Sequence, residues 1–251
     1  MITLASDFGS PYPAAMRGVL HSRTDARVVD VTHEFPRGDV RAAAFWLREV
    51  LPYFPPAVHC AVVDPGVGTD RDAVVVAAGG HALVAPDNGL VLPAARRLGD
   101  PRVFRVDPDD YAPDSATFHG RDVFAPLAAD VHEVAVGADF AEALAADPTD
   151  EYVGLSLPEA TVEADAAHGE VLAVDDFGNV ITNVPGDVLA DRERVRVNGE
   201  SVAVGETFAA VAPGERLVTV GSHGYVECDV NDGRGDEAFG LRPGDDVVLE
   251  W

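Results

Sequence analysis

Lysine is absent from this chain of 251 residues, in which all 18 basic residues are arginines. The absence excludes classes of enzyme that need a lysine ammonium, among them P-loop nucleotidases, protein kinases and pyridoxal phosphate enzymes with a Schiff base. Acidic residues number 43, which gives a formal net charge of −25. A chain so acidic repels a nucleic-acid backbone, so we expect no nucleic-acid partner.

Long hydrophobic runs and cysteines are also scarce. No apolar run approaches the roughly 18 to 20 residues of a membrane span, so we expect no membrane partner. Cys60 and Cys228 are too few and too far apart for a disulfide framework or a cysteine-rich metal knuckle. The first residues lack the basic segment of a signal peptide and are typical of a buried strand. A cytoplasmic location is the simplest expectation.

The acidic residues are spread along the whole chain and are not collected in one tail. A high-salt cytoplasm screens such charge, so this distribution indicates a halophilic protein. A specific acidic interaction surface is the alternative explanation.

The first 155 residues alternate between strand-like and helix-like segments. Apolar residues repeat at the i, i+3, i+4, i+7 spacing over residues 40–51, which predicts a helix with Asp39 as its N-cap. A second helix is predicted over Gly89 to Leu98, started by Asn88 and closed by Gly99, with Pro93 inside it. Strands are predicted at residues 2–5, 27–31, 58–63, 73–77 and 82–84. The alternation predicts an α/β domain over residues 1–155 with a largely parallel sheet.

The pattern changes in the second part of the chain. An acidic, alanine-rich segment at residues 141–150 and the stretch 155–163 separate the two parts. Beyond them no segment has a convincing helical period, and short strands are predicted at residues 170–174, 180–184, 195–197, 217–220, 225–230 and 246–250. Short strands at close spacing predict a small all-β domain, an antiparallel barrel or a sandwich, over residues 165–251. A cleft between two such domains is the default ligand site.

Two short motifs carry the chemistry. Asp64 and Arg71 flank a glycine-containing turn directly after the predicted strand 58–63, and His119 stands between Phe118 and Gly120. An acid, a guanidinium and an imidazole together can hold one water molecule and deprotonate it. Neither motif offers a serine or cysteine nucleophile, so the pattern predicts a hydrolytic site whose nucleophile comes from solvent.

Seven sequence blocks between residues 6 and 227 carry a resemblance to a known family. The chain resembles the S-adenosyl-L-methionine (SAM) hydrolase (adenosine-forming) family, also called SAM hydroxide adenosyltransferases, which is related to the bacterial fluorinase and chlorinase. The blocks follow the family's order, so the resemblance covers essentially the whole chain. They are Ser6-Asp7-Phe8-Gly9, Val28-Val29-Asp30-Val31-Thr32-His33, Asp64-Pro65-Gly66-Val67-Gly68-Thr69, Pro86-Asp87-Asn88-Gly89, Thr117-Phe118-His119-Gly120-Arg121-Asp122, Asp175-Asp176-Phe177-Gly178-Asn179 and Gly221-Ser222-His223-Gly224-Tyr225-Val226-Glu227.

The resemblance implies a fold, an assembly and a reaction. It implies an N-terminal α/β domain, a C-terminal β-barrel, and a homotrimer that binds SAM between the N-terminal domain of one subunit and the C-terminal domain of the next. The implied reaction is attack of a water-derived hydroxide on ribose C5′, which gives adenosine and L-methionine with no metal or organic cofactor. Asp64, Arg71 and His119 match the family's catalytic set.

The resemblance also implies a set of substrate contacts. Asp7 matches the acid that binds the ribose hydroxyls, and Phe177 and Asn179 match a stacking ring and an amide for adenine. The chain departs from the family between residues 9 and 17, where a shortened loop precedes Tyr12. The remaining candidates for substrate contacts are Asn88, Asp175, Ser222, Tyr225 and Glu227, of which the last four are assigned to the methionine ammonium or the nucleoside edge.

Two other classes of function stay open from the sequence. One is a metal-dependent hydrolase of a nucleotide-like substrate, in which Asp7, Asp64, His119 and Asp122 hold Mg²⁺ or Mn²⁺. The other is a non-catalytic sensor that binds SAM or adenosine. A halogenase is disfavoured, because the intact Asp64, Arg71 and His119 set is the hydrolase pattern.

Overall fold

The computed structural model describes residues 1–135 and 148–251. Most of the acidic segment at residues 141–150 therefore lies outside the described residues. The chain divides into two compact units, Met1–Ser156 and Leu157–Trp251. Within the described residues, no helix combines the length and the apolar character that crossing a bilayer requires.

The first unit is built on a six-stranded sheet. Its strands are β1 (Ile2–Ser6), β2 (Val28–Thr32), β3 (Val58–Val62), β4 (Ala73–Ala78), β5 (His81–Pro86) and β6 (Arg102–Val106). They lie in the order β2-β1-β3-β5-β4-β6. β4 pairs antiparallel with both of its neighbours, and the pairs β1–β2, β1–β3 and β3–β5 are parallel. The predicted α/β domain with a largely parallel sheet is confirmed.

Helices cover both faces of this sheet, as a parallel sheet requires. They are α1 (Tyr12–Arg23), α2 (Val40–Val50), α3 (Leu92–Leu98) and α4 (Ala125–Ala135). Met16 and Leu20 of α1 and Leu127 of α4 pack in the core on one face, and Leu47 of α2 and Ala95 of α3 pack in the core on the other. Because both faces are buried, the strand sequences are nearly continuous apolar runs.

The two helices predicted in the first unit are both present. The Asp39 side chain accepts a hydrogen bond from Ala42 N at 2.9 Å, which confirms it as the N-cap of α2. The start predicted at Asn88 is wrong, because α3 begins at Leu92 with Pro93 in its first turn. Asn88 instead forms a turn in which its Oδ1 accepts from Leu90 N at 3.1 Å.

The strand order creates a crevice at one edge of the sheet. From β1 the chain moves to β2 on one side and then crosses to β3 on the other side of β1. Ligands of α/β sheets bind at the carboxyl ends of strands where the order reverses in this way. Asp7 follows β1 directly and Asp64 follows β3, so both acids lie at this reversal.

The second unit is a closed barrel. Its strands are β7 (Thr161–Val162), β8 (Ala166–Val174), β9 (Val180–Pro185), β10 (Arg194–Val197), β11 (Glu200–Val204), β12 (Arg216–Val220), β13 (Tyr225–Val230) and β14 (Asp246–Glu250), with a short helix α5 (Gly235–Phe239). Seven strands close a ring in the order β14-β10-β11-β12-β13-β9-β8, because β14 also pairs with β8, and β7 adds to β8 outside the ring. Only the β11–β12 pair of the ring is parallel. The predicted barrel is confirmed.

Each unit encloses one of the two cysteines. Cys60 lies in the core of the first unit and Cys228 in the core of the barrel, and both are free thiols. Burial raises the pKa of the Cys60 thiol to about 12 and also raises the pKa of Cys228. Neither thiol is therefore a nucleophile in the folded protein.

Candidate active site

Asp64 and Arg71 form an ion pair across the turn that follows β3. Arg71 Nε lies 3.2 Å from Asp64 Oδ1, and the same oxygen accepts from Gly66 N at 2.9 Å. Arg71 also donates from Nη1 to the carbonyl of Asp87 at 3.2 Å. The Asp64 side chain is only 6% exposed, so the pair interacts where little water screens it. The guanidinium is thereby fixed at the carboxyl edge of the sheet.

Glycines let this turn approach its neighbours closely. A Cβ at Gly66 would lie 2.2 Å from Arg71 Nη2, so the guanidinium packs directly over the glycine. Gly68 has φ +81°, and a Cβ there would lie 2.7 Å from the carbonyl oxygen of Ala116. The Asp64–Arg71 turn therefore lies against the loop that leads to His119.

His119 precedes a π-helical turn, Gly120–Phe124, that continues into α4. A Cβ at Gly120 would lie 2.6 Å from Cε2 of Phe8 and 3.3 Å from Sδ of Met16, so this turn packs against the residue that follows Asp7. The His119 side chain is half-buried, and residues 1–135 and 148–251 contain no hydrogen-bond partner for its ring. Its imidazole can therefore receive a proton from a bound water.

An open cleft of about 690 Å³ brings these segments together. Its size fits a ligand as large as a nucleoside derivative. Arg71 and His119 do not line the cleft themselves, but Arg71 is paired with Asp64, which does, and the chain neighbours Phe118 and Arg121 line it on either side of His119 and Gly120. The lining consists of Asp7, Phe8, Tyr12, Arg37, Asp64, Val67, Ser115, Thr117, Phe118 and Arg121.

Aromatic rings form one wall of this cleft. Phe118 makes edge-on contacts with Phe8 and Tyr12, with ring centroids 5.9 and 5.4 Å apart. The Arg121 guanidinium lies 5.2 Å from the centroid of the Phe118 ring. This wall offers a ligand apolar contact area and π faces.

Asp7 and Asn88 use their side chains differently. Asp7 accepts from Gly38 N through Oδ2 at 2.7 Å, which leaves Oδ1 to accept from a ligand. Asn88 donates to the carbonyl of Val63 at 2.8 Å and accepts from Leu90 N, and it is only 9% exposed. A substrate contact of Asn88 would compete with these bonds. Its binding role stays a prediction, and what the structure shows is a residue that ties the turn after β5 to the end of β3.

In the second unit, Asp175 organises the turn between β8 and β9. Its Oδ1 accepts from the backbone N–H groups of Phe177 and Asn179 at 3.0 and 2.9 Å, and its Oδ2 accepts from the Asn179 side-chain amide at 3.0 Å. The turn holds the Phe177 ring outward with 80% of the residue exposed. A ring fixed in this way can stack on a planar ligand.

The face of β13 that is turned away from the barrel core carries acidic side chains. Side chains alternate along a strand, so Tyr225, Glu227 and Asp229 share one face, while Val226 and Cys228 pack in the barrel core. Ser222 is exposed in the turn before this strand.

Glu227 and Asp229 are both buried on that face. Glu227 is 7% exposed, and its carboxylate packs against Gly221, where a Cβ would lie 1.8 Å from Oε1. Burial, with the negative charge of Asp175, raises the pKa of Glu227 to about 7. Burial, with the charges of Glu227 and Asp175, raises the pKa of Asp229 to about 8. Sequence reasoning missed Asp229, although its two-residue spacing from Glu227 in a strand places both on one face.

The four residues that the sequence offers as metal ligands are not grouped into one metal site. Within the described residues, no three histidine, cysteine, aspartate or glutamate side chains are grouped so that they could hold a metal ion. Asp64 is paired with Arg71, while Asp122 lies 2.8 Å from Nη2 of Arg121 and accepts from Ser115 N at 3.0 Å. Two of the four donors proposed from the sequence therefore already have cationic partners.

Comparison with known proteins adds a family assignment to this geometry. A model of the SAM hydroxide adenosyltransferase N-terminal domain matches residues 2–141, and a model of the C-terminal domain of the same family matches residues 169–248. An (R)-S-adenosyl-L-methionine hydrolase of Salinispora tropica is 47% identical, in an alignment that covers 97% of this chain and 95% of that protein. A fluorinase of Actinopolyspora mzabensis is 24% identical over 97% of this chain and 95% of its own length. Among solved structures, an uncharacterized conserved protein from Thermotoga maritima superposes with a TM-score of 0.87 at 33% identity, over 100% of both chains.

Proposed function

The chain belongs to the SAM hydroxide adenosyltransferase family, and from this premise we propose that it hydrolyses SAM to adenosine and L-methionine. The observation that carries the proposal is the coincidence of a full-length family match with the half-buried Asp64–Arg71 pair beside the His119 loop, at the carboxyl edge of the sheet. The family match covers both units, so it includes both sets of predicted substrate contacts.

The reaction requires activation of water more than help for the leaving group. A sulfonium is already a good leaving group, so methionine departs from ribose C5′ without an acid. In the proposed mechanism His119 takes a proton from the attacking water, and Arg71, which cannot act as a base, stabilises the developing hydroxide. Asp64 holds Arg71 in place. Attack of hydroxide on a sulfonium neutralises charge, so a site shielded from water favours the transition state.

The substrate is held from both units in this proposal. Asp7 accepts hydrogen bonds from the ribose hydroxyls through its free oxygen, and Phe177 stacks on adenine. Asn179 presents its amide oxygen to the adenine edge, since its amide nitrogen is bonded to Asp175. The methionine ammonium is assigned to the acidic group of Asp175 and Glu227, with Ser222 and Tyr225 as further contacts.

The family resemblance also supports a cytoplasmic homotrimer in which each substrate contacts one subunit's first unit and a neighbouring subunit's second unit. The predicted contacts are divided accordingly, with Asp7, Asp64, Arg71 and His119 in the first unit and Asp175 to Glu227 in the second. The assembly can be tested by complementation between subunits.

The function is tested by incubating the purified protein with SAM in high salt and in water labelled with ¹⁸O. We expect adenosine and L-methionine, with the label on the adenosine 5′-oxygen and none on methionine. Label on methionine, or release of adenine, would mean that another bond is cleaved. Turnover that survives exhaustive chelation would exclude the metal-dependent alternative, and binding of SAM without products would indicate a sensor.

A further inference from the structure

Asp229 is a fully buried carboxyl group that accepts no hydrogen bond from residues 1–135 or 148–251. The residue is 0% exposed, and neither Oδ1 nor Oδ2 has a hydrogen-bond partner among the described residues. Asp175, by contrast, accepts three hydrogen bonds, and Asp64 has a backbone donor and an arginine. A carboxylate removed from water without donors is costly, so such a group holds a proton instead.

The charges that act on Asp229 are negative. Glu227 stands two residues away on the same face of β13. Burial, with the negative charges of Glu227 and Asp175, raises the pKa of Asp229 to about 8. β9 carries no ionisable residue, and the charged residues on the other elements near Asp229 are paired with one another or exposed. Arg216 of β12 binds Glu200, Arg234 binds Asp236 at the start of α5, and Glu237 and Asp176 are exposed.

A stability role does not account for this carboxyl group. Replacing a buried charged or unpaired polar group by a well-packed apolar one is often neutral or stabilising. Asp229 instead lies two residues from Glu227 on the same face of β13, and Glu227 is assigned above to the methionine ammonium. SAM carries a sulfonium, an ammonium and one carboxylate, so it brings a net positive charge to the site.

We propose that Asp229 is a positioning residue that stays protonated in the free protein and releases its proton to solvent when the cationic substrate binds beside Glu227 and Asp175. The O–H bond of the carboxyl group breaks, and the acidic group gains one negative charge that compensates the substrate's positive charge. The inference rests on the proposed function, because it takes SAM as the cation. It assigns Asp229 an effect on substrate affinity and none on the chemical step.

Proton release makes affinity depend on pH with a definite sign. Below the range in which the substrate-bound protein gives up the proton, Asp229 is neutral in both states and contributes nothing. As pH rises towards about 8 the bound state loses its proton first, so affinity increases by up to about tenfold per pH unit for one fully coupled proton. Above about 8 the free protein is ionised as well, and the increase stops.

The test compares KM and kcat for SAM from about pH 6 to about pH 9 in the wild-type protein, Asp229→Asn and Asp232→Asn. Asparagine has the same shape and cannot ionise, and Asp232 is an exposed aspartate just beyond β13 whose replacement removes the same formal charge. Titration calorimetry in two buffers of different ionisation enthalpy counts the protons released on binding, with His119→Ala added to each protein so that hydrolysis, which itself releases one proton, does not contribute. We expect KM of the wild type and Asp232→Asn to fall several-fold from about pH 7 to about pH 8.5, while Asp229→Asn changes less than about twofold there and releases fewer protons. The kcat values should agree.

A stability measurement separates this role from a structural one. A carboxyl whose pKa is raised on folding binds more protons in the folded than in the unfolded state between about pH 4 and about pH 8, so its presence lowers stability as pH rises through that window. Asp229→Asn should therefore be more resistant to urea than the wild type at about pH 8.5. Destabilisation at all pH values, or a KM profile identical to that of the wild type, would overturn the proposal and leave hydrolysis untouched. Absence of SAM turnover in the wild type would overturn the proposed function instead.

Discussion

His119 differs from the histidines that stabilise the first unit. His33 is bonded to Ser6 at 2.7 Å, and His59 lies between Thr3 and His81, 2.8 Å from each. Burial, followed by the neighbouring His81, lowers the pKa of His59 to about 3, so this buried pair is neutral. His119 has no such bond within the described residues and stands at a cleft. An imidazole that makes no hydrogen bond within the described residues can accept a proton from water, so its position favours it as the base.

His119→Ala should lower kcat by on the order of 10²- to 10⁴-fold, the usual cost of losing a general base, with little change in melting temperature. Initial rates of adenosine formation measure the loss. His168→Ala is the matched control, because His168 is an exposed histidine on β8 of the barrel. A His119→Ala protein that is folded and turns over SAM at the wild-type rate would contradict the assignment.

At the scale of elements, the sequence predicts the helices α2 and α3 of the first unit and misses α1 and α4. The spacing from Val40 onward and the Asp39 cap predict α2, because a single helix face packs on the sheet. In α4 the apolar residues from Leu127 to Val131 are all buried, and exposed polar residues come only from Asp130 onward, so the sequence shows a weak helical period there. α1 is missed because two prolines frame its start.

The sequence likewise reveals only part of the candidate site. Asp64, Arg71 and His119 lie in turns at strand or helix ends, where glycines and polar residues form motifs that a sequence displays. Asp229 lies in β13 two residues after Glu227, beyond the end of the matching sequence block, and no motif marks it. Its unpaired state depends on what packs above β13, which three-dimensional structure alone provides.

The close packing in the turn after β3 leads to a prediction for kcat. In Gly66→Ala the new methyl group would meet the Arg71 guanidinium, which must move away from Asp64. Since removal of one preorganised transition-state donor costs about 10²- to 10³-fold in kcat, we expect a loss of about tenfold or more for a displaced one. Gly18→Ala is the control, because Gly18 is an exposed residue of α1 with open space around it. It should keep wild-type kcat and gain about 0.5–1 kcal/mol of stability. Equal kcat in both variants would mean that Arg71 does not need this position.

At the scale of the whole molecule, charge governs association. A net charge of −25 makes every copy of the chain repel every other. The Debye length shrinks from about 10 Å at 0.1 M salt to about 3 Å at 1 M, so association should strengthen as salt rises. Exposed ion pairs between arginines and carboxylates offset little of this repulsion between copies, because each such pair contributes only about 0–1 kcal/mol.

The proposed trimer can be tested by mixing inactive variants. Asp7→Ala removes a contact of the first unit and Asn179→Ala one of the second, so an equal mixture in 1 M salt should recover about one quarter of the wild-type activity once subunits exchange at random. Mixing Asp7→Ala with Asp64→Asn is the control, because both changes lie in the first unit and no pairing restores a complete site. No recovery in the first mixture, with exchange verified by mass spectrometry, would place each site within one chain.

The burial of one thiol in each core gives the protein two built-in reporters of unfolding. Cys60 is buried against the turn that ends at Phe124 in the first unit and Cys228 lies inside the barrel, so an alkylating reagent can reach each thiol only when its own unit opens. Digestion of the protein after timed exposure to such a reagent would give the rate at which each unit opens. No substitution in the chain is needed for this measurement. Equal rates at every urea concentration would identify one cooperative transition, and unequal rates would rank the two units by their local stability.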